Sequence, residues 1–316
     1  MTDESVAATA TGGEATVDWS GGGTVLAFLN EVAGGRRLLE AIRERVEAGA
    51  DSVAVAAPQN QPIVGQIVDR DELRDAATSR VEVTMQVLRE FGIESAGAVM
   101  DPDSSLALDD ATRAFGPAEV LLSSLYDTRF GFLRRDLVEW AKERLDVPVT
   151  HVPVRVEDDA VRWDVIHTLV VGTQTIASPD LVEHLKRRAA ERPHRYTLIC
   201  PRSGDTSREQ VTERLASTLA ELYRADIDAT GQPMSPEPFP AVQNAIEHYR
   251  IDDILISTLA GQQSKWLEEG LIDRVKDITD KPIEHIEAGK GAKVTASAGE
   301  AAESPVASRQ SPEVEA

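Results

Sequence analysis

The sequence predicts an α/β protein made of two tandem Rossmann-like domains, each a five-stranded parallel sheet with helices on both faces. Three observations predict it. Short apolar runs alternate with stretches of helical periodicity along the chain. Residues 97–152 align without a gap on residues 231–286, at an offset of 134, with 14 identities in 56 positions. The length of 316 residues suits two domains of ordinary size.

The elements of the first copy follow in order. Thr24–Leu29 is an apolar run rich in β-formers, the pattern of a strand buried on both faces. Gly34 and Gly35 punctuate it, and Leu38, Leu39, Ile42 and Val46 then recur at helical spacing. Residues 52–57 read as a second strand, ended by Pro58. Residues 69–91 read as a long helix with Leu73, Ala76, Ala77, Val81, Met85 and Leu88 on one face. Residues 95–100 are a third strand, and Asp103 or Ser104 caps a helix running to Phe115. Residues 120–124, 133–145 and 149–154 complete the copy as strand, helix and strand. The second copy repeats the order, with strands at 168–172, 196–200, 227–230, 254–257 and 283–287.

The repeat preserves particular residues. Gly97 meets Gly231, Ser123 meets Ser257, Pro148 meets Pro282 and His151 meets His285. Upstream the offset becomes 143, so that Leu38 meets Leu181 and Pro58 meets Pro201. The nine-residue difference falls in the loop near residues 59–68, where an insertion leaves the core untouched. The expected organisation is a tail at 1–22, a domain at 23–154, a polar linker at 155–165, a domain at 166–287 and an acidic tail at 288–316. Both tails lack apolar residues enough to pack and are expected to be disordered.

Composition narrows the function. Asp and Glu total 54 against 33 Lys and Arg, a net charge of −21. An acidic, lysine-poor surface suggests a salt-loving source, where salt screens the self-repulsion. It argues against sequence-independent nucleic-acid binding, which needs a basic face. No apolar run approaches the roughly 18 residues of a membrane helix, and no secretory leader is visible. The single cysteine, Cys200, has no partner for an internal disulfide. A cytoplasmic protein is expected.

In open parallel sheets, ligands bind beyond the carboxyl ends of the strands, where the strand order reverses. The candidate loops therefore follow the first and fourth strands of each copy. After the fourth strands lie Ser123, Ser124 and Arg129 in copy one, and Ser257, Thr258, Gly261, Ser264 and Lys265 in copy two. Hydroxyls, loop amides and a helix N-terminus suit an anion. The serines could equally satisfy backbone groups at a strand end. After the first strands, Asn30 and Thr173 could face a ribose or base, or serve the turn itself. His151 and His285 read as structural or interface residues. There is no Cys/His cluster for a metal. The chain has no phosphate-binding G-x-x-x-x-G-K-[ST] loop, no nucleophile elbow, and no Ser/His/Asp arrangement that stands out.

Three passages carry a family resemblance. They are Glu119-Val-Leu-Leu-Ser-Ser124, Leu133-Arg-Arg-Asp136 and Val147-Pro-Val-Thr-His-Val152, with counterparts Asp253-Ile-Leu-Ile-Ser-Thr258, Trp266-Leu267 and Lys281-Pro-Ile-Glu-His-Ile286. With the β/α order, they resemble the universal stress protein domain, here in a tandem, haloarchaeal-type form. The resemblance covers about residues 23–154 and 166–287. It implies an adenine-nucleotide-hydrolase-like sheet of five parallel strands. It also implies pairing through the last strands, as a pseudo-dimer of the tandem copies or a homodimer. Some members bind ATP through G-x-x-G, nine residues, then G-[ST]. Here copy one offers Leu125-Tyr-Asp-Thr128 with Asp136 near the late glycine, and copy two offers Gly261 and Gly270.

The expected function is that of a non-enzymatic stress-response or regulatory protein with a degenerate site for ATP or AMP. A nucleotide-hydrolysing or nucleotide-transferring enzyme of the same superfamily and a ligand-free structural adaptor remain the alternatives.

Overall fold

The computed structural model describes residues 22–30, 33–60, 70–124, 132–154, 165–201, 206–234, 238–248, 251–259, 270–289 and 293–297. The first sheet contains β1 (Thr24–Leu29), β2 (Ser52–Pro58), β3 (Ser95–Met100), β4 (Pro117–Ser124) and β5 (Val149–Pro153) in the order β3-β2-β1-β4-β5. Every neighbouring pair is parallel. The second sheet contains β6 (Ile166–Gly172), β7 (His194–Pro201), β8 (Asp228–Met234), β9 (Asp253–Leu259), β10 (Ile283–Ala288) and β11 (Lys293–Ser297) in the order β11-β10-β9-β6-β7-β8. Both are doubly wound: the chain builds outward one way from β1 and β6, then returns to build the other way from β4 and β9.

Helices connect the strands, as parallel pairing requires. They are α1 (Arg36–Glu47), α2 (Arg70–Glu90), α3 (Ser104–Phe115), α4 (Phe132–Arg144), α5 (Pro179–Glu191), α6 (Arg208–Arg224), α7 (Pro238–His248) and α8 (Leu271–Lys276). Local chemistry sets their ends. The Asp103 carboxylate accepts from the Ser105 and Leu106 amides at the start of α3, and Gly116, at φ 53°, ends it in the left-handed region. Ser178 caps α5, with Pro179 opening it. Ser207 and Gln210 form a reciprocal capping box on α6.

Strand residues alternate between two faces. On one face of the first sheet, Leu26, Phe28, Val120 and Leu122 pack against Leu108 and Ala111 of α3 and Leu137 and Ala141 of α4. The outer face of the second sheet buries Leu169, Ile254 and Ile256 under Val242 and Ala245 of α7 and Val275 of α8. The two inner faces share one continuous core. It joins Val25, Val55, Leu121 and α1–α2 residues Ile42, Val81 and Leu88 to Val170, Leu198, Leu255 and α5–α6 residues Leu185, Leu215 and Leu219. The repeated glycines lie here. A Cβ on Gly97 would stand 2.6 Å from Val81 Cγ1, and one on Gly231 would stand 2.7 Å from Leu215 Cδ1. Val81 and Leu215 are themselves equivalent, so each glycine lets the same helix approach the same strand.

Polar contacts tie the domains together. Arg208 reaches Asp75 at 2.5 Å near the start of the two long helices, and Arg224 donates to the Glu90 carbonyl at 2.8 Å at their ends. Glu90 and Arg224 are equivalent positions, so α2 and α6 run side by side in the same direction. Arg36 donates to Asp226 and Asp228 at 2.7 and 2.9 Å. The buried Tyr223 hydroxyl lies 2.9 Å from the Ala229 carbonyl and 3.3 Å from that of Gly34.

Two expectations are corrected. The domains do not pair through their last strands: β5 pairs with β4, β10 lies between β9 and β11, and the domains meet through α2 and α6. The segment 288–316 is not wholly without structure, because residues 293–297 form β11, antiparallel to β10. A sheet edge presents unpaired backbone groups, and a neighbouring Val-Thr stretch can satisfy them whatever its composition suggests. The linker at 155–165, apart from its last residue, and most of both tails lie outside the described residues.

A buried ion pair is built twice. Arg45 in the last turn of α1 makes two bonds of 3.0 and 3.1 Å to Glu119 on β4, whose side chain is 0% exposed, and Thr150 donates to the same carboxylate at 2.6 Å. At the equivalent places Arg188 of α5 bonds Asp253 of β9 and, at 3.0 Å, Glu284 of β10. Arg45→Met strands Glu119 without its cation. Urea unfolding is expected to show a loss of about 3–5 kcal/mol, most of it recovered by adding Glu119→Leu. An unchanged midpoint in the single variant would remove this pair from the account.

Candidate functional site

The strand order reverses between β1 and β4 in the first sheet and between β6 and β9 in the second, which places a crevice at the carboxyl end of each pair. In domain 1 the Asn30 amide donates to the Ser123 carbonyl at 3.0 Å, closing β1 against β4. In domain 2 the Thr175 hydroxyl donates to the Ser257 carbonyl at 2.9 Å. The loop after β6 thus touches the equivalent point by a different group.

Ser123 and Ser257 stand at matching ends of β4 and β9. Each is 1% exposed, and among the described residues neither Oγ has a hydrogen-bond partner. Alternation places both on the inner faces, with Leu121 and Leu255. A strand-end serine that simply satisfied the backbone would show that bond; these do not.

Their neighbours face the other way. The Ser124 hydroxyl lies 2.9 Å from His151 Nε2, and the Thr258 hydroxyl lies 2.8 Å from His285 Nε2. These residues lie far apart in the sequence, where no Ser/His/Asp arrangement stands out. The parallel register pairs Leu122 with His151 and Ile256 with His285, bringing the next hydroxyl alongside each imidazole. Burial lowers the pKa of both histidines, reinforced for His151 by the charge of Lys142 and opposed for His285 by that of Glu287. Each imidazole is therefore neutral near pH 7 and able to accept a proton from its hydroxyl. Neither is oriented by a carboxylate among the described residues.

Asn30 is held by neighbouring side chains. It is 6% exposed, and its side-chain oxygen accepts from the Ser104 hydroxyl at 2.8 Å and from the Asn60 amide at 3.2 Å. These bonds tie the end of β1 to the loop after β2 and to the start of α3. Thr173 is partly exposed, and its carbonyl lies 3.7 Å from Cys200 Sγ. Burial pushes the Cys200 thiol up to about 12, against the pull of Arg214, so it is not a nucleophile at neutral pH. Arg129, Gly261, Ser264 and Lys265 lie outside the described residues. Among the described residues no three His, Cys, Asp or Glu side chains are grouped to hold a metal, and no helix is long and apolar enough to cross a membrane.

The strand order decides the fold class. It is doubly wound α/β, twice over. No family model matches the chain, and no curated protein does. Among solved structures the chain is similar to a universal stress protein from Archaeoglobus fulgidus, with 15% identity over 84% of this chain and 97% of that one, at a TM-score of 0.33. It is also similar to MurG from Acinetobacter baumannii, with 14% identity over 74% of this chain and 71% of that one, at a TM-score of 0.19. Superpositions of that quality decide nothing, and the fold class rests on topology.

The two histidines give a pH signature. Their folded pKa values lie below the ordinary 6.5, so protonation favours the unfolded chain. Their contribution is full above about pH 6.5 and is lost as pH falls below it toward the folded values. The urea midpoint is expected to fall between pH 7 and pH 5 more steeply in the wild type than in His151→Gln/His285→Gln. Parallel slopes would contradict the buried, neutral state of these imidazoles.

Proposed function

We propose that the chain is a non-enzymatic regulatory or stress-response binding protein of the universal stress protein type. Its two domains act as an intramolecular pseudo-dimer, and it takes ATP or AMP at a sheet's carboxyl end. The observation that carries this reading is the pair of buried serine hydroxyls, Ser123 and Ser257, that have no partner among the described residues, at the strand-order reversal of each sheet. A buried hydroxyl without a bond is costly unless something else satisfies it, and a phosphate or ribose oxygen would. The topology supports the same place, since ligands of doubly wound sheets bind there. The net charge of −21 supports a halophilic, cytoplasmic setting and argues against nucleic acid as the partner.

One observation favours a second reading. A neutral imidazole beside a hydroxyl is half of a nucleophilic arrangement, and the fold supplies it at Ser124–His151 and again at Thr258–His285. An enzyme using it would need a group to orient the histidine and donors for the developing charge. The described residues supply no such orienting carboxylate.

Equilibrium binding of labelled ATP and AMP to the purified chain at high salt, with product analysis, separates the readings. Saturable binding without turnover is the expected result. Turnover lost in His151→Gln or His285→Gln would establish the enzyme, and absence of binding would leave a ligand-free adaptor. Ser257→Val is expected to weaken nucleotide binding about tenfold, the cost of one hydrogen bond to a charged group plus a crowded contact. Unchanged affinity would remove that serine from the site.

A further inference from the structure

A strand at the edge of a sheet presents a row of backbone N–H and C=O groups that invites another strand, and natural edges are blunted by charge, proline, shortness or a cover. Four strands stand at the edges of the two sheets: β3, β5, β8 and β11. Three of them carry such a device. β5 is five residues long and ends in Pro153. β8 contains Pro233, and all but its two end residues are buried. β11 is five residues long and begins with Lys293.

β3 carries none. Its six residues, Ser95-Ala-Gly-Ala-Val-Met100, include no charge and no proline, in a chain where 28% of the residues are charged. Ala96 and Gly97 are exposed, and among the described residues the ladder partner of β3 is β2 alone. The helices α2 and α3 pack on the strand, with Val81 and Met85 of α2 over Gly97. The small side chains of Ala96, Gly97 and Ala98 leave the backbone of this edge within reach of another strand. Just past the strand in the chain, Leu106 of α3 is 57% exposed, more than any other large apolar side chain among the described residues.

We infer that the β3 edge is an interaction surface whose partner is β3 of a second copy of the chain, paired antiparallel about a two-fold axis. Charge decides the occupant. At a net charge of −21, two copies repel each other over most of their surface. Like charges opposed across a ladder also destabilise it. Pairing β3 with itself opposes no charges within the ladder, and it continues the first sheet of one copy into that of the other. It also uses the single β3 edge of each copy, so assembly closes at two. β2 separates this edge from the crevice at β1 and β4, so the inference stands apart from whatever ligand the crevices take.

Sedimentation velocity of the full chain over a range of concentrations, at low and at high salt, tests the inference. A ladder of six residues is about 20 Å long, which puts the contact at the small end of protein interfaces. A monomer–dimer equilibrium in the micromolar range is expected, shifted toward dimer as salt screens the charge. Ala96→Lys places a cation on the edge and is expected to weaken the dimer about tenfold, although it lowers the net negative charge. General relief of repulsion would act the opposite way. A wild-type urea midpoint shows that the variant folds. Amide hydrogen exchange of the wild type gives a second test that needs no variant, with exchange at residues 95–100 expected to slow as protein concentration rises. A dimer untouched by Ala96→Lys, or exchange at 95–100 that does not depend on concentration, would overturn the inference. A chain that stays monomeric throughout would also overturn it, and would leave this edge to an unlike extended segment.

Discussion

A parallel sheet has two apolar faces, and both must be covered. Here each outer face is covered by a pair of helices from its own domain. The inner faces are covered by α1, α2, α5 and α6 packed into a single core. That shared layer is the constraint on which the rest depends. If the domains separated, this shared core would be opened and the buried Tyr223 hydroxyl would lose its contact with the Gly34 carbonyl. The polar contacts of Arg36, Arg208 and Arg224 sit around this core and fix its register; exposed pairs of this kind add little energy alone.

The layer also aims the two crevices. Asp75 meets Arg208 at one end of the helix pair and Glu90 meets Arg224 at the other, so α2 and α6 are parallel. Strands and their connecting helices run in opposite directions in a doubly wound domain, and both sheets therefore present their carboxyl ends on the same side of the molecule. The duplication preserves what this requires: Gly97 and Gly231, the Arg45–Glu119 and Arg188–Asp253 pairs, and the aliphatic strands. It does not preserve Asn30 or Ser104, whose places in the repeat are taken by Thr173 and Pro238.

The fold was legible because its signals are local. Strands of five to eight residues announce themselves by apolar runs, and caps such as Asp103 by their position before a helix. The repeat added Gly97, Ser123 and His151 as residues of interest without saying why. Gly97 matters through Val81, His151 through Ser124, and both partners are set by packing and strand register. The strand β11 was missed because its pairing is a property of the β10 edge, not of its own composition. Arg80 was missed because an arginine in an amphipathic helix reads as surface, yet it is 1% exposed and donates to the Pro58 carbonyl. Asn30 reads from sequence as either a ligand contact or a turn residue, and its bonds to Asn60 and Ser104 depend on packing that the sequence does not display.

The central claim is that the two domains fold as one unit around their common core. Scanning calorimetry of the intact chain, in salt high enough to screen its charge, tests it directly. The account predicts a single transition whose calorimetric and van't Hoff enthalpies agree. Two resolved transitions, or one domain melting while the other keeps its native spectrum, would contradict it.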